Sequence, residues 1–137
     1  MFKVDQKILR VVDANLNRAK EGLRVCEDVC RFLLDDKLST RQFKNVRHDL
    51  TEIVRDWPMV KIIASRNIET DIGRGSTAIE FRRKNTADIF FANCQRIKES
   101  VRVLEEFSKI MEKKSTEKIK RIRYKVYALE KRVTAKI

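Results

Sequence analysis

One proline and three glycines in 137 residues leave little material for turns. A β-sheet needs a turn roughly every 8–12 residues, so this scarcity argues against a sheet and for long helices. No apolar run approaches the roughly 18 residues of a membrane span. The start, Met1-Phe2-Lys3-Val4-Asp5, carries no apolar signal core, and a cytoplasmic protein is expected. The three cysteines, Cys26, Cys30 and Cys94, are odd in number and sit in apolar stripes, as reduced thiols do. Cys26 and Cys30 are one helical turn apart, but no third and fourth metal ligand is in view, so both read as small buried hydrophobes. His48 is the sole histidine. There is no G-x-x-x-x-G-K-[ST], no strand-borne G-x-G-x-x-G and no histidine pair at zinc spacing.

What the chain has in excess is positive charge. The net charge of +12 implies an anionic partner: nucleic acid, a phosphorylated metabolite or an acidic surface. The hydrophobic content of 42% is enough for one core, and the length fits a single domain, residues 1–137.

The chain also repeats itself. Ala14-Asn15-Leu16-Asn17-Arg18-Ala19-Lys20-Glu21 recurs as Ala92-Asn93-Cys94-Gln95-Arg96-Ile97-Lys98-Glu99, an offset of 78 residues (14 to 92). Leu23-Arg24-Val25-Cys26-Glu27-Asp28 recurs at the same offset as Val101-Arg102-Val103-Leu104-Glu105-Glu106. Val46-Arg47-His48 matches Ile122-Arg123-Tyr124 at an offset of 76 (46 to 122).

Each copy predicts two helices. Val12, Leu16, Ala19, Leu23, Cys26, Cys30 and Leu33 recur at steps of three and four, an amphipathic helix over about 5–36 that Asp35-Asp36-Lys37-Leu38 breaks. Ser39 and Gln42 form a capping-box start for a second helix that buries Phe43, Val46, Leu50, Ile53 and Trp57 and meets Pro58. Asn85 caps a third helix with Asp88 in its first turn. Its stripe is Phe90, Cys94, Ile97, Val101, Leu104 and Met111. Ser115 opens a fourth, burying Ile119, Ile122, Val126, Leu129 and Val133, each 76 residues after its counterpart. The expected architecture is all-α: two helical hairpins, about 5–57 and 86–135, related by a pseudo-two-fold axis as a four-helix bundle. A unique segment, about 58–85, holds a long Gly/Arg loop in which Thr77-Ala78-Ile79-Glu80-Phe81 has the residue types of a short strand.

Several constellations can carry chemistry. Asn15/Asn93, Arg18/Arg96 and Gly22/Ser100 run down one edge of the stripe in both copies. Such residues can grip a phosphate or a heterocycle in a cleft; equally, the amides can brace a helix crossing by bonding backbone and the arginines can pair with glutamates. Arg24-Glu27-Asp28 and Arg102-Glu105-Glu106 lie nearly opposite the stripe, as a solvated face of ion pairs or a second interface or site. Arg47 and Arg123 sit where they can reach the same cleft. In the central loop, Gly73 and Gly75 can converge backbone N–H groups into an anion nest. There Arg66, Arg74, Arg82 and Arg83 supply charge-assisted bonds, and Asp71 is the natural magnesium ligand or base; an ordinary turn is the competing reading. The last helix is strongly basic, but it lacks interleaved exposed aromatics and a docking motif, which speaks for a solvated face and against nucleic acid.

The pattern Asp13-Ala14-Asn15-Leu16-Asn17-Arg18-Ala19-x-Glu21-Gly22-Leu23-Arg24-Val25-x-Glu27-Asp28 resembles the opening of an all-helical module. That module is found alone, as an alternative hydroxymethylpyrimidine phosphate kinase, or fused N-terminal to thiamine phosphate synthase. The resemblance continues through Arg47-His48-Asp49, Ala64-x-Arg66, Asp71-x-Gly73, Ala92-Asn93-x-x-Arg96, Leu104-Glu105-Glu106 and Arg123-Tyr124. Cys26 and Cys30 depart from it, standing where small aliphatic residues are usual.

The resemblance implies a thiamine-biosynthesis kinase that converts the pyrimidine monophosphate to its diphosphate with ATP and Mg²⁺. With no β/α barrel in the chain, the synthase's coupling step is not expected of it. On this footing Asp71, with Glu27 or Glu105, is expected at the metal and the chemistry. Arg18, Arg47, Arg66, Gly73, Arg74, Arg82, Arg96 and Arg123 are expected at phosphates, and Asn15 or Asn93 at the pyrimidine edge. A non-catalytic binding or partner module of a thiamine phosphate synthase is the alternative, followed by a basic nucleic-acid binder. The repeated outward-facing charges suggest a homodimer.

Overall fold

The computed structural model describes residues 4–78 and 82–137. Its helices are α1 (Gln6–Asp28), α2 (Lys37–Ile53), α3 (Met59–Ala64), α4 (Thr86–Met111) and α5 (Thr116–Thr134). A π-helical turn, Val29–Leu33, extends α1, and a 3₁₀ turn, Lys113–Ser115, precedes α5. The described residues form no strand. Ile79, Glu80 and Phe81, the second part of the expected strand, lie outside them.

Helices α1, α2, α4 and α5 make the expected bundle, each packing on two neighbours: α1 on α2 and α4, and α5 on α4 and α2. The predicted stripes meet in a single core, in which Leu23, Phe43, Leu50, Phe90, Ile97, Leu104, Ile119 and Ile122 are essentially inaccessible; Leu33 is the exception, turned outward at the end of the π-helical turn. Phe43 of the first hairpin meets Phe90 of the second edge to face, with ring centroids 6.0 Å apart.

The centre of the bundle is the antiparallel crossing of α1 and α4. Cys26 Sγ lies 3.7 Å from Cys94 Sγ and 3.9 Å from the Phe90 carbonyl. The hydrogen bond with Cys94 and burial push the Cys26 thiol far up, and burial pushes Cys30 up to about 12, so both stay protonated as small apolar side chains. Gly22 sits at the same crossing. A Cβ on it would stand 2.8 Å from Ile97 Cγ1 and 3.2 Å from the Asn93 carbonyl oxygen, so the backbones approach too closely for a side chain. On the opposite side, Asp49 of α2 pairs with Lys125 of α5 at 3.1 Å. These two residues are counterparts at the 76-residue offset (49 to 125), so the ion pair straddles the pseudo-two-fold axis.

Three local expectations are corrected. The cap of α2 is Asp36, whose carboxylate accepts from the Ser39 N–H at 3.0 Å. Ser39 therefore lies inside the first turn, buried, with its hydroxyl unpaired among the described residues. A carboxylate is the stronger acceptor at this position, and Asp35 before it adopts φ 48°, which stops α1. The second helix ends at Ile53, four residues short of Trp57, and Val54 and Trp57 reach the core from a turn. Past Pro58 the chain forms α3, a short helix the periodicity did not disclose, which packs on α1 and buries Ile62. Asn85 caps α4 as expected, accepting from the Asp88 N–H at 2.9 Å.

Gly22→Ala is expected to lower stability by about 1–3 kcal/mol through overpacking, despite alanine's advantage of roughly 1 kcal/mol in helix propensity; chemical denaturation measures the difference, and a stabilised variant would contradict the close crossing. A second expectation concerns Asp36, which is buried and receives Lys136 Nζ at 2.8 Å. Burial works to raise its carboxyl, but the bonds from Lys136 and Ser39 outweigh it and hold the group well below the usual range. Its stabilisation is therefore present above the unfolded value of about 4 and lost as pH falls below it. The stability gap between wild type and Lys136→Met should stay constant above about pH 5 and close towards pH 2 in acid denaturation series.

Candidate functional site

The central segment does not hang free. Arg66, just past α3, reaches back to α1 and donates two hydrogen bonds to Asp13, Nε to Oδ2 at 2.6 Å and Nη2 to Oδ1 at 2.9 Å. Asp13 is buried, and it also accepts from Asn17 Nδ2 at 3.2 Å. This fork is the strong form of an ion pair. The carboxylate pushes the Arg66 guanidinium further up, so it keeps its charge throughout.

Between α1 and the pinned segment runs an open groove of about 600 Å³. Four of the predicted residues meet in it: Asn15, Arg18, Arg66 and Asp71. Lys7 and Arg10 from the first turns of α1 line it as well. The groove therefore holds several cations around one uncommitted carboxylate, Asp71, because Asp13 is engaged by Arg66. The Asn15 amide is engaged within α1: its Nδ2 donates to the Val11 carbonyl at 2.8 Å, and its Oδ1 accepts from Arg18 Nη1 at 3.3 Å. Asn15 thereby orients Arg18 toward the groove it helps to line.

The loop residues are partly turned inward. Asp71 Oδ1 accepts the Gly73 N–H at 2.9 Å, and Arg74 Nη1 donates to the Ile68 carbonyl at 3.2 Å. A nest of converging N–H groups needs alternating backbone handedness, and no glycine among the described residues has positive φ. The expected nest at Gly73 and Gly75 is therefore not formed. Arg82 lies exposed before α4, outside the groove lining.

The remaining predicted residues fall into two structural sets elsewhere. Asn93 donates to the Ile89 carbonyl at 2.8 Å, repeating the bracing role of Asn15, and Arg96 is exposed on α4. Glu27 and Glu105 are both buried and each is clasped between helices. Arg47 of α2 bonds Glu27 through Nε at 3.2 Å and Nη2 at 3.1 Å, and Arg123 of α5 bonds Glu105 through Nε at 3.1 Å and Nη2 at 3.0 Å. Arg24 and Arg102 approach the same glutamates from within α1 and α4. These Arg–Glu–Arg triads fasten each hairpin.

Glu27 stands 14 residues beyond Asp13 on α1 (13 to 27), about 21 Å of helix rise, and Glu105 is not among the groove residues. The structure thus does not bring Asp71 together with either glutamate, and Arg47 and Arg123 serve the triads rather than the groove. Of the charges that suggested a homodimer, Glu27 and Glu105 pair between helices of one chain, and Arg24 and Arg102 pair within α1 and α4. No group of three His, Cys, Asp or Glu able to hold a metal occurs among the described residues. Among them, too, no helix is long and apolar enough to cross a membrane.

Sequence reasoning left out Lys7, Arg10 and Asp13. Their counterparts at offset 78 are Asn85, Asp88 and Phe91 (7 to 85, 10 to 88, 13 to 91); the residue type is kept at none of the three, so selecting positions that agree between the copies discarded them. The groove belongs to one copy alone. The usable signal was the mismatch itself, an aspartate where the second copy has phenylalanine.

Comparison with known proteins places this geometry in context. The sequence profile described as the ThiD2 family matches residues 10–132. A thiamine-phosphate synthase of Rhodopirellula baltica is 39% identical over 122 residues, covering 88% of this chain and 32% of the relative. Those of Synechocystis sp. (39% over 124 residues, 90% and 35%) and Thermosynechococcus vestitus (35% over 130 residues, 94% and 36%) are similar in the same way. The chain thus spans about a third of the length of these curated relatives. No solved structure matches it significantly.

Asp13→Asn keeps the shape of the Asp13–Arg66 contact but removes its charge. Limited proteolysis is expected to cut between residues 66 and 78 faster in this variant, with the helical core still resistant. Unchanged cleavage would mean that something other than this fork holds the segment.

Proposed function

This chain belongs to the ThiD2 family, and on that premise we propose that it is a kinase of thiamine biosynthesis. It transfers the γ-phosphoryl group of ATP to hydroxymethylpyrimidine phosphate. The observation that carries this reading is the gathering of Arg18, Arg66, Lys7 and Arg10 around Asp71 in one groove. The synthase names of the relatives and the residue-level resemblance support a substrate from the same pathway.

The chemistry asks little of a covalent kind from the protein. The acceptor is itself a phosphate monoester, whose second pKa near about 6 leaves an oxygen anionic at neutral pH, so no general base is required. One acceptor oxygen bonds the γ-phosphorus while the bond from that phosphorus to the bridging oxygen of ATP breaks, and ADP leaves. Bringing two polyanions together is the real obstacle, and positioned cations remove it. Arg18, aimed by Asn15, and Arg66, aimed by Asp13, are the pre-oriented pair; Lys7 and Arg10 add charge at the open end. Mg²⁺ carried with the nucleotide would neutralise its phosphates. Such an ion needs only one or two carboxylates besides phosphate oxygens. Asp71 fits that need, whereas Glu27 and Glu105 are taken up by arginines.

A second reading, a non-catalytic module that binds the pyrimidine phosphate beside a thiamine phosphate synthase, draws on one observation. The groove offers a single uncommitted carboxylate, which is thin for a kinase and ample for a binder. Purified protein with ATP, Mg²⁺ and the pyrimidine monophosphate is expected to release ADP only when all three are present. Arg18→Gln should lower kcat/KM by about 100-fold, roughly 2.7 kcal/mol. Calorimetric binding of the monophosphate without any ADP release would instead select the second reading.

A further inference from the structure

The repeat supplies an internal comparison between two grooves outside the site above. One, of about 540 Å³, lies between α1 and α2 and is lined by Lys20, Glu21, Arg24, Val25, Arg47 and Thr51. The other, of about 430 Å³, lies between α4 and α5, and Lys98, Glu99, Arg102, Arg123 and Tyr127 line it. These are the same positions in the two copies (20 to 98, 21 to 99, 24 to 102, 47 to 123, 51 to 127). Each groove has a Glu-centred arginine triad as its floor.

The two differ in whether their cations are already satisfied. In the α4–α5 groove, Lys98 is held by Glu130 at 2.9 Å. Arg102 is held by Glu105 at 2.8 Å and Glu106 at 2.9 Å. The Tyr127 ring lies against Lys98 Nζ at 5.3 Å and the Arg123 guanidinium at 6.0 Å. Every cation there has an internal partner. In the α1–α2 groove the counterpart of Glu105, Glu27, is kept, but those of Glu130, Glu106 and Tyr127 are not. Val54 stands in place of Glu130 (54 to 130), and Lys20 makes no ion pair among the described residues. Asp28 replaces Glu106 and, one methylene shorter, makes no ion pair with Arg24, whose sole acidic contact among them is with Glu27 at 3.8 Å. Thr51 replaces Tyr127 and leaves the mouth uncovered.

Arg47 is also well prepared to bind. Its side chain is 18% exposed and is fixed by Glu27 through Nε and Nη2, which leaves its other N–H groups for a ligand. Glu27 is shared by Arg24 and Arg47, and with Lys20 free of ion pairs among the described residues the groove's three cations exceed its two carboxylates, Glu27 and Glu21, by one charge.

We infer that the α1–α2 groove is a second phosphoryl-binding site, in which Lys20, Arg24 and Arg47 hold the phosphate group of a small molecule, and that the α4–α5 groove is its self-satisfied, non-binding copy. Both grooves draw on α1: Arg24 lies six residues beyond Arg18 (18 to 24), about 9 Å of rise along the helix. A protein with both grooves can hold two phosphoryl groups along one helix. The inference does not depend on kinase activity, because binding alone tests it.

The probes are inorganic phosphate and glycerol phosphate, titrated into ¹⁵N-labelled protein at fixed ionic strength without nucleotide or metal. Saturable shifts are expected for amides of residues 20–28 and 47–51, with residues 98–106 and 123–127 unmoved. Lys20→Gln/Arg24→Gln should weaken this binding at least tenfold, while Lys98→Gln/Arg102→Gln leaves it unchanged. The probe that saturates at lower concentration tells whether the ligand is free or esterified phosphate. Equal shifts in both grooves, non-saturating shifts, or binding that survives Lys20→Gln/Arg24→Gln would overturn the inference. The glutamine variants preserve helix propensity, and a native amide spectrum shows that each has folded.

Discussion

The approach of α1 and α4 at Gly22 is the constraint on which the other contacts rest. It brings two backbones close enough that Ile97 and the Asn93 carbonyl fill the space a side chain would take. Those helices are the first of each hairpin, so their spacing sets where α2 and α5 can lie. With α2 and α5 in place, the Glu27–Arg47 and Glu105–Arg123 pairs close across each hairpin. Buried ion pairs of this type add little net stability over apolar packing, but breaking one is costly, about 3–5 kcal/mol. They act as register pins more than as glue.

On this symmetric frame the functional features are asymmetric. The central segment has no second copy, and one bidentate contact, Arg66 to Asp13, lays it along α1. Lys20 of the first copy lines an open groove without an ion pair among the described residues, while its counterpart Lys98 is held by Glu130 and lies against the Tyr127 ring. A frame made twice keeps rigidity in both halves, while one half alone borders the cationic groove of the central segment. That arrangement suits phosphoryl transfer, where pre-oriented charge matters more than a reactive side chain.

Much of the fold was legible in the sequence because helical periodicity and its repetition are direct physical signals. Val12 to Cys30, Phe43 to Trp57 and their counterparts mark the faces that have to be buried together. The breaks were less legible. Asp36 and Ser39 both have capping chemistry, and only the position of the π-turn decides that Asp36 serves. Helix α3 is six residues long, too short for periodicity to declare. At the site, Arg18, Arg66 and Asp71 followed from residue type, but Asp13 was hidden because agreement between copies selects scaffold. Asn15, Glu27 and Glu105 agree between copies for that reason: they brace and pin. Gly73 and Gly75 looked like a phosphate nest from composition, yet nest geometry depends on backbone handedness, which composition does not encode.

The pairing of Asp49 with Lys125 across the pseudo-two-fold axis has a consequence for how the halves recognise each other. Two first hairpins docked in this manner would set Asp49 against Asp49, and two second hairpins would set Lys125 against Lys125. The crossing at the other face sorts the same way. Glycine at 22 accommodates isoleucine at 97, whereas two second hairpins would press Ser100 onto that isoleucine and two first hairpins would leave Gly22 facing the small Ala19. Charge on one side and volume on the other thus reject both like-with-like assemblies. The two halves behave as lock and key within one chain, and the mixed pair is the combination in which every axial position is matched.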